Sequence, residues 1–258
     1  MKVVILAGGY GTRISEESHL RPKPMIEIGE KPILWHIAKY YSAFGFNEFI
    51  ICCGYKGYMI KEYFADYYLH RSDVTFDFSN GGKMTVHANV SEPWKVTLVD
   101  TGADSQTGGR IKRIASYIGN ERFMLTYGDG VSDIDLNALL KQHGESGATM
   151  TLTAIQSGGR FGVLEIEGDN VTAFKEKAKE DGGWINAGFM VAEPELFGYI
   201  DNDYTILERA PLERLSAGRK LGVYKHRGFW ACMDTQRDKS YLEAAWANGK
   251  AKWKVWED

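Results

Sequence analysis

The chain is 258 residues long, 44% hydrophobic and 25% charged, a globular composition that excludes wholesale disorder. Lys and Arg number 31 against 34 Asp and Glu, a net charge of −3, which speaks against a broad nucleic-acid surface but leaves room for a small phosphorylated ligand. Glycine is abundant, 29 against 6 prolines, and because each glycine is costly to order, their placement calls for a reason.

Val3–Ala7 is a continuously apolar run closed by Gly8-Gly9, the pattern of a buried parallel strand running into a loop. Helical spacing follows Pro32 through Ile33, Leu34, Ile37, Ala38 and Tyr41, with Pro tolerated in the first turn. Phe49–Cys53 is a second buried strand, and 57–69 reads as a helix. This alternation predicts an α/β fold: one doubly wound, mostly parallel, Rossmann-like sheet with helices on both faces. Alternating runs around Asn80-Gly81-Gly82 predict a β-hairpin excursion at the sheet edge over 74–90. A strand at 96–99, a helix at 109–118, a strand at 123–127, a helix at 135–146 and a strand at 149–155 follow. A second hairpin is expected at 161–177 around Gly168-Asp169-Asn170. Trp184–Ala192 reads as one strand, 194–200 as a short helix, 205–217 as a helix, 221–226 as a strand and 236–248 as a helix. No linker or repeat interrupts this, so a single domain over 1–258 is expected.

Cys52 and Cys53 sit inside an apolar run and Cys232 stands alone, with neither metal spacing nor a disulfide framework. No signal peptide is recognisable, and no apolar run approaches the roughly 20 residues of a membrane span. A cytoplasmic protein, with no membrane partner, is expected.

The run Leu6-Ala7-Gly8-Gly9-Tyr10-Gly11-Thr12-Arg13 suits a phosphate ligand, although an ordinary tight turn fits it too. Glycines let backbone N–H groups approach phosphate oxygens, Thr12 adds a hydroxyl, and Arg13 supplies a planar fork of donors. Two standard phosphate motifs fail. The run ends Thr-Arg where the P-loop needs Lys-Ser/Thr. The dinucleotide pattern begun at Gly9 meets Ile14 where it needs Gly, and no acidic residue closes the second strand, which disfavours a dehydrogenase. In Arg21-Pro22-Lys23-Pro24-Met25 two prolines stiffen the backbone around one long cation.

These motifs together, Gly-Gly-x-Gly-Thr-Arg and then Arg-Pro-Lys-Pro-Met, resemble the signature of the sugar-1-phosphate nucleotidylyltransferases. The longer segments Lys31–Ile37, Ile51–Gly57, Val99–Gly102, Thr107–Arg110 and Tyr127–Gly130 are similar to the branch that uses CTP and glucose 1-phosphate, and the resemblance extends to the Trp-rich tail. It implies CDP-glucose formation with release of pyrophosphate, a step towards CDP-linked deoxysugars of surface polysaccharide, and a homo-oligomer. It also implies nucleotide contacts from residues 6–13, Lys23, Ser105 and Arg110, with Arg13 and Lys23 catalytic. Asp129 ends a strand between two glycines and Asp234 ends Gly228–Met233. Either alone suits a cap or turn, and as a pair in this pattern they look like ligands for Mg²⁺. Glu176, Lys177 and Asn186 match positions that hold the sugar phosphate, with Ala178 where the pattern has Pro. Alternatives are a relative using UTP, dTTP or another sugar phosphate, and an inactive nucleotide-sugar sensor. Trp246, Trp253 and Trp256 suggest an oligomer contact, though aromatics also cover cores.

Overall fold

The structure is a computed structural model that describes residues 1–156, 163–175 and 183–257. Strand β1 (Lys2–Leu6) leads into the glycine-rich loop; β2 (Glu27–Ile28) and β3 (Lys31–Pro32) form a small ladder before the helix Ile33–Ala43. β4 (Glu48–Cys53) follows, then the hairpin β5 (Ser72–Asp77) and β6 (Lys83–Asn89), and β7 (Lys95–Asp100). β8 (Phe123–Tyr127), β9 (Gly130–Ser132), β10 (Met150–Gln156), β11 (Val163–Glu167) and β12 (Asn170–Lys175) come next. β13 (Trp184–Asn186), β14 (Met190–Ala192), β15 (Leu221–Lys225) and β16 (Trp230–Cys232) complete the strands.

The main sheet runs β13-β11-β12-β15-β10-β14-β8-β1-β4-β7. It is parallel across β8-β1-β4-β7 and between β10 and β15, and antiparallel where β14 joins β8 to β10. The expected doubly wound α/β sheet is present, with a mixed half added. Alternation along β1 divides the core in two: Val3 and Ile5 face one side, Val4 and Leu6 the other. Helix Ile33–Ala43 packs on the first face, and Ile111, Ile114, Leu212 and Leu215 cover the second. Each such buried aliphatic side chain contributes about 1.5–3 kcal/mol. The β5–β6 hairpin forms its own two-stranded sheet, so it is an excursion in the full sense.

Four expectations need correction, the first being the helix over 57–69, which breaks at Asp66 into Gly57–Ala65 and Tyr67–His70. Trp184–Ala192 is two strands, because Gly188 (φ 75°) and Phe189 (φ 45°) turn the chain in the left-handed region, where Gly has no Cβ to clash. An added Cβ at Gly188 would also lie 2.9 Å from the Tyr127 ring. The helix expected over 205–217 starts at Ala210, with Pro211 in its first turn. Residues 203–207 are instead pinned to the start of the much earlier helix Thr107–Arg113: Gln106 N–H donates to the Asp203 carbonyl (2.8 Å) and Leu207 N–H to Thr107 Oγ1 (2.9 Å). The helix expected over 109–118 breaks at Ile114 into Thr107–Arg113 and Ala115–Ile118.

The Trp-rich tail packs on its own chain. Trp253 is fully buried, and Trp246 and Trp256 lean on the same core. These rings enclose His36, whose Nε2–H donates to the Ile28 carbonyl (2.7 Å) while Nδ1 accepts from Trp253 Nε1 (3.3 Å). Burial pulls the His36 pKa from 6.5 down to about 4, so it is neutral in the fold. Between those values the unfolded chain binds the proton and the folded chain does not, so stability falls as pH drops through this window. We expect His36 to account for a loss of up to ~3 kcal/mol between neutral pH and pH ~4. Urea unfolding should show a smaller loss in His36→Met; an equal loss in both proteins would remove His36 as a cause.

Candidate active site

The C-terminal ends of β1 and β8 open onto a cleft of about 520 Å³ lined by residues 6–13, Lys23, Pro24, 103–107, Arg110, 127–129 and Asp234. Such a crevice at the carboxyl edge of parallel strands is where α/β folds bind ligands. The expected nucleotide residues Leu6, Ala7, Gly8, Gly9, Tyr10, Gly11, Thr12, Arg13, Lys23, Ser105 and Arg110 therefore all line one cleft. Tyr10 reaches across its mouth, its hydroxyl donating to Asp104 Oδ1 at 2.8 Å.

Arg110 lies under this loop rather than on its surface. Its guanidinium donates to the carbonyls of Gly8 (2.9 Å), Gly102 (2.7 Å) and Ala103 (3.1 Å) and to Thr101 Oγ1 (2.9 Å). A Cβ at Gly8 would stand 2.2 Å from Arg110 Nη1, so this close approach requires glycine. Burial lowers the Arg110 pKa from its ordinary value. The side chain joins the glycine-rich loop to the 101–106 loop through backbone oxygens.

Lys23 opens a single 3-10 turn, Lys23–Met25, whose Pro24 and Met25 are buried. Its Nζ donates to Asp129 Oδ2 and to Asp234 Oδ1, each at 2.6 Å. Arg13 Nη1 takes the other Asp234 oxygen at 2.9 Å. Burial works against the Lys23 ammonium, but the Asp129 and Asp234 carboxylates outweigh it and raise its pKa. For Asp234, burial favours the neutral acid, yet Lys23 and then Arg13 hold its pKa below the ordinary carboxylate value. Lys23 and Asp234 are thus both charged at neutral pH.

The carboxylates meet because β16 pairs with β9, placing Cys232 opposite Gly130, and Met233 N–H donates to the Asp129 carbonyl (2.9 Å). Ligand atoms of Asp129, Cys232 and Asp234 all lie within 4.8 Å of one another. Cys232, read from sequence as isolated, belongs to this group. Burial and the Asp129 charge push its thiol pKa well above the ordinary value, so it stays protonated. Two carboxylate oxygens beside a neutral thiol fit a hard divalent cation that takes its remaining ligands from water and phosphate.

On the other side of Tyr127, Asn186 Nδ2 donates to the Tyr127 hydroxyl (3.3 Å), and its Oδ1 accepts from Gly188 N–H (3.0 Å). Asn186 thus sits behind Tyr127, not in the cleft wall. Glu176 and Lys177, with Ala178, lie outside the described residues. Tyr127 and Thr107 are wall residues that sequence inspection missed. Tyr127 carried a usable signal, the end of a buried strand just before Gly128-Asp129; Thr107 carried none.

Among the described residues no helix is long and apolar enough to cross a membrane. The nucleotidyl transferase family model matches residues 2–251. The chain is 56% identical over 258 residues to glucose-1-phosphate cytidylyltransferase of Salmonella typhi, covering all of both chains. It is 32% identical over 214 residues to D-glycero-alpha-D-manno-heptose 1-phosphate guanylyltransferase of Campylobacter jejuni, covering 83% of each. The crystal structure of HddC from Yersinia pseudotuberculosis shares the fold, with a TM-score of 0.75 at 22% identity over 95% of this chain and 99% of that one. A glycine-rich loop, a proline-flanked lysine and a paired-aspartate cup in one cleft accord with the family match, and the chain belongs to the nucleotidyl transferase family.

Proposed function

We propose that the chain transfers a cytidylyl group from CTP to α-D-glucose 1-phosphate, forming CDP-glucose and pyrophosphate. The observation that carries this is the convergence of Arg13 and Lys23 on Asp129 and Asp234 beside the glycine-rich loop, in a chain similar along its whole length to a glucose-1-phosphate cytidylyltransferase. The sugar-phosphate oxygen, already anionic near neutral pH, attacks the α-phosphorus in line. The new P–O bond forms as the bond to the β-phosphate breaks, and pyrophosphate leaves with the electron pair. No general base is needed, so positioning and charge neutralisation suffice.

Lys23 neutralises charge growing on the α-phosphate, and Arg13 stabilises the departing pyrophosphate. Loop residues 6–13 hold the phosphates by backbone N–H groups, with Ser105 in the same wall and Arg110 fixing the loop from beneath. Asn186, with Glu176 and Lys177, serves the sugar phosphate. The family generally uses a divalent metal, which we assign as Mg²⁺ held by Asp129 and Asp234. Bound there, it would shield the phosphate charges.

The whole chain acts as one catalytic domain in the cytoplasm. Self-association is part of the same proposal; with the Trp tail occupied in the core, the support for it is the β5–β6 hairpin, which exposes Phe76, Phe78, Met84 and Val86. A second activity, transfer from another nucleotide, finds support in the guanylyltransferase relative, which joins a different base to a different sugar phosphate.

Glucose 1-phosphate offered with CTP, UTP, dTTP, GTP or ATP in Mg²⁺ should release pyrophosphate selectively with CTP. Equal release with another nucleotide would favour the second activity, and none with any would favour a sensor. EDTA should abolish turnover; full activity in EDTA would eliminate the metal.

A further inference from the structure

Glu208, in the segment before helix Ala210–Ala217, is a carboxylate that the reaction above leaves unused. Its Oε1 accepts from the Tyr127 hydroxyl at 2.5 Å and its Oε2 from Thr107 Oγ1 at 2.6 Å. Hydrogen bonds this short from hydroxyls to a carboxylate are among the stronger and more directional ones. The two partners belong to different parts of the cleft. Thr107 closes the loop wall on the nucleotide side, where its Oγ1 is also held by Leu207 N–H. Tyr127 ends β8 beside Asp129, and its hydroxyl accepts from Asn186 Nδ2 while donating to Glu208. Burial first, and then Glu208, raise the Tyr127 pKa well above its ordinary value, so the phenol keeps the proton it donates. The Tyr127 ring is confined on its other side by the backbone at Gly188, the residue whose N–H holds Asn186 Oδ1.

We infer that Glu208 is a positioning residue for the sugar-phosphate side: it fixes the Tyr127 hydroxyl, which in turn orients the Asn186 amide, from a carboxylate anchored at its other oxygen to the nucleotide wall. Glu208 touches neither substrate and acts through Tyr127. The inference rests on the assignment of Asn186 to the sugar phosphate.

The test compares full-length Glu208→Gln, Tyr127→Phe, their double variant and Asn186→Ala in steady-state kinetics, with thermal unfolding of each. In Glu208→Gln and Tyr127→Phe the KM for glucose 1-phosphate should rise about tenfold, the effect of losing one charge-assisted hydrogen bond. The KM for CTP and kcat should stay within about threefold, because Thr107 keeps its Leu207 partner. The double variant should be no worse than the worse single one, since both break one chain of contacts. An unchanged KM for glucose 1-phosphate in either single variant, with a raised one in Asn186→Ala, would overturn the positioning role and leave the sugar assignment standing. An unchanged KM in Asn186→Ala would overturn the sugar assignment and the inference with it. Parallel loss of both KM values, kcat and melting temperature would mark Glu208 as a purely structural residue and also overturn it. Should Glu208→Gln fail to fold, Tyr127→Phe, which removes a single hydroxyl, decides the question.

Discussion

Replacing Lys23 by Ala is expected to lower kcat by about 10²–10³-fold while changing the KM for CTP by less than about tenfold. The expectation follows from where the ammonium sits. Its backbone is clamped by Pro22 and the buried Pro24, its side chain is 12% exposed, and its Nζ stands 2.6 Å from two carboxylate oxygens. A charge so held loses little by reorganising when negative charge shifts onto the α-phosphate, and preorganisation of this kind lowers the barrier more than it tightens the ground state. The glycine-rich loop and Arg110 are untouched by the change, so nucleotide affinity is largely kept. Single-turnover kinetics separate the two effects. Turnover at the wild-type rate would remove Lys23 from the mechanism. Lys23→Arg should not rescue, because a planar fork cannot replace a compact ammonium between two carboxylates.

The second large effect is expected at Asp234. Asp234→Asn removes the charge shared by Lys23 and Arg13 and one of the two carboxylates available to a divalent ion. Loss of an outer-shell partner alone costs about 10–100-fold in metal affinity, and loss of a direct ligand costs at least as much. The Mg²⁺ concentration for half-maximal rate should therefore rise by at least about tenfold, with kcat at saturating Mg²⁺ still depressed. An unchanged Mg²⁺ dependence would show that Asp234 serves only to hold the two cations. Asn at this site keeps the size and a carbonyl acceptor, so the fold should survive, which circular dichroism checks.

Much of the cleft around the glycine-rich loop was legible because it is local. Val3–Ala7 and Phe49–Cys53 are apolar without interruption and Phe123–Tyr127 is broken only by Thr126, as suits strands buried on both faces, and a glycine follows each. Residues 6–13 and 22–24 carry their chemistry within two short stretches. What sequence inspection missed depends on partners far along the chain. Arg110 was identifiable as a cation, but nothing local says that its acceptors are backbone carbonyls. Cys232 gained its neighbours through a ladder of three residue pairs, too short for periodicity to reveal. The run Trp184–Ala192 is apolar enough for one strand; the turn at Gly188 is imposed by the Tyr127 ring and the change of strand partners. Glu208 is one acidic residue among 34, set apart only by two hydroxyls that the fold delivers to it.

The pairing of β9 with β16 also sets an order of assembly. Its register places Cys232 against Gly130, and side chains alternate faces along a strand, so a slip of one residue would turn Asp234 away from Asp129. A chain made from its N-terminus acquires the glycine-rich loop first, then Lys23, then Asp129. Asp234 arrives only after β16, by a contact of long sequence separation. A nascent or truncated chain lacking that last short strand would present the loop and the lysine with half a cup. The carboxylate cup is thus complete only once the chain has been made through β16, about 100 residues beyond Asp129.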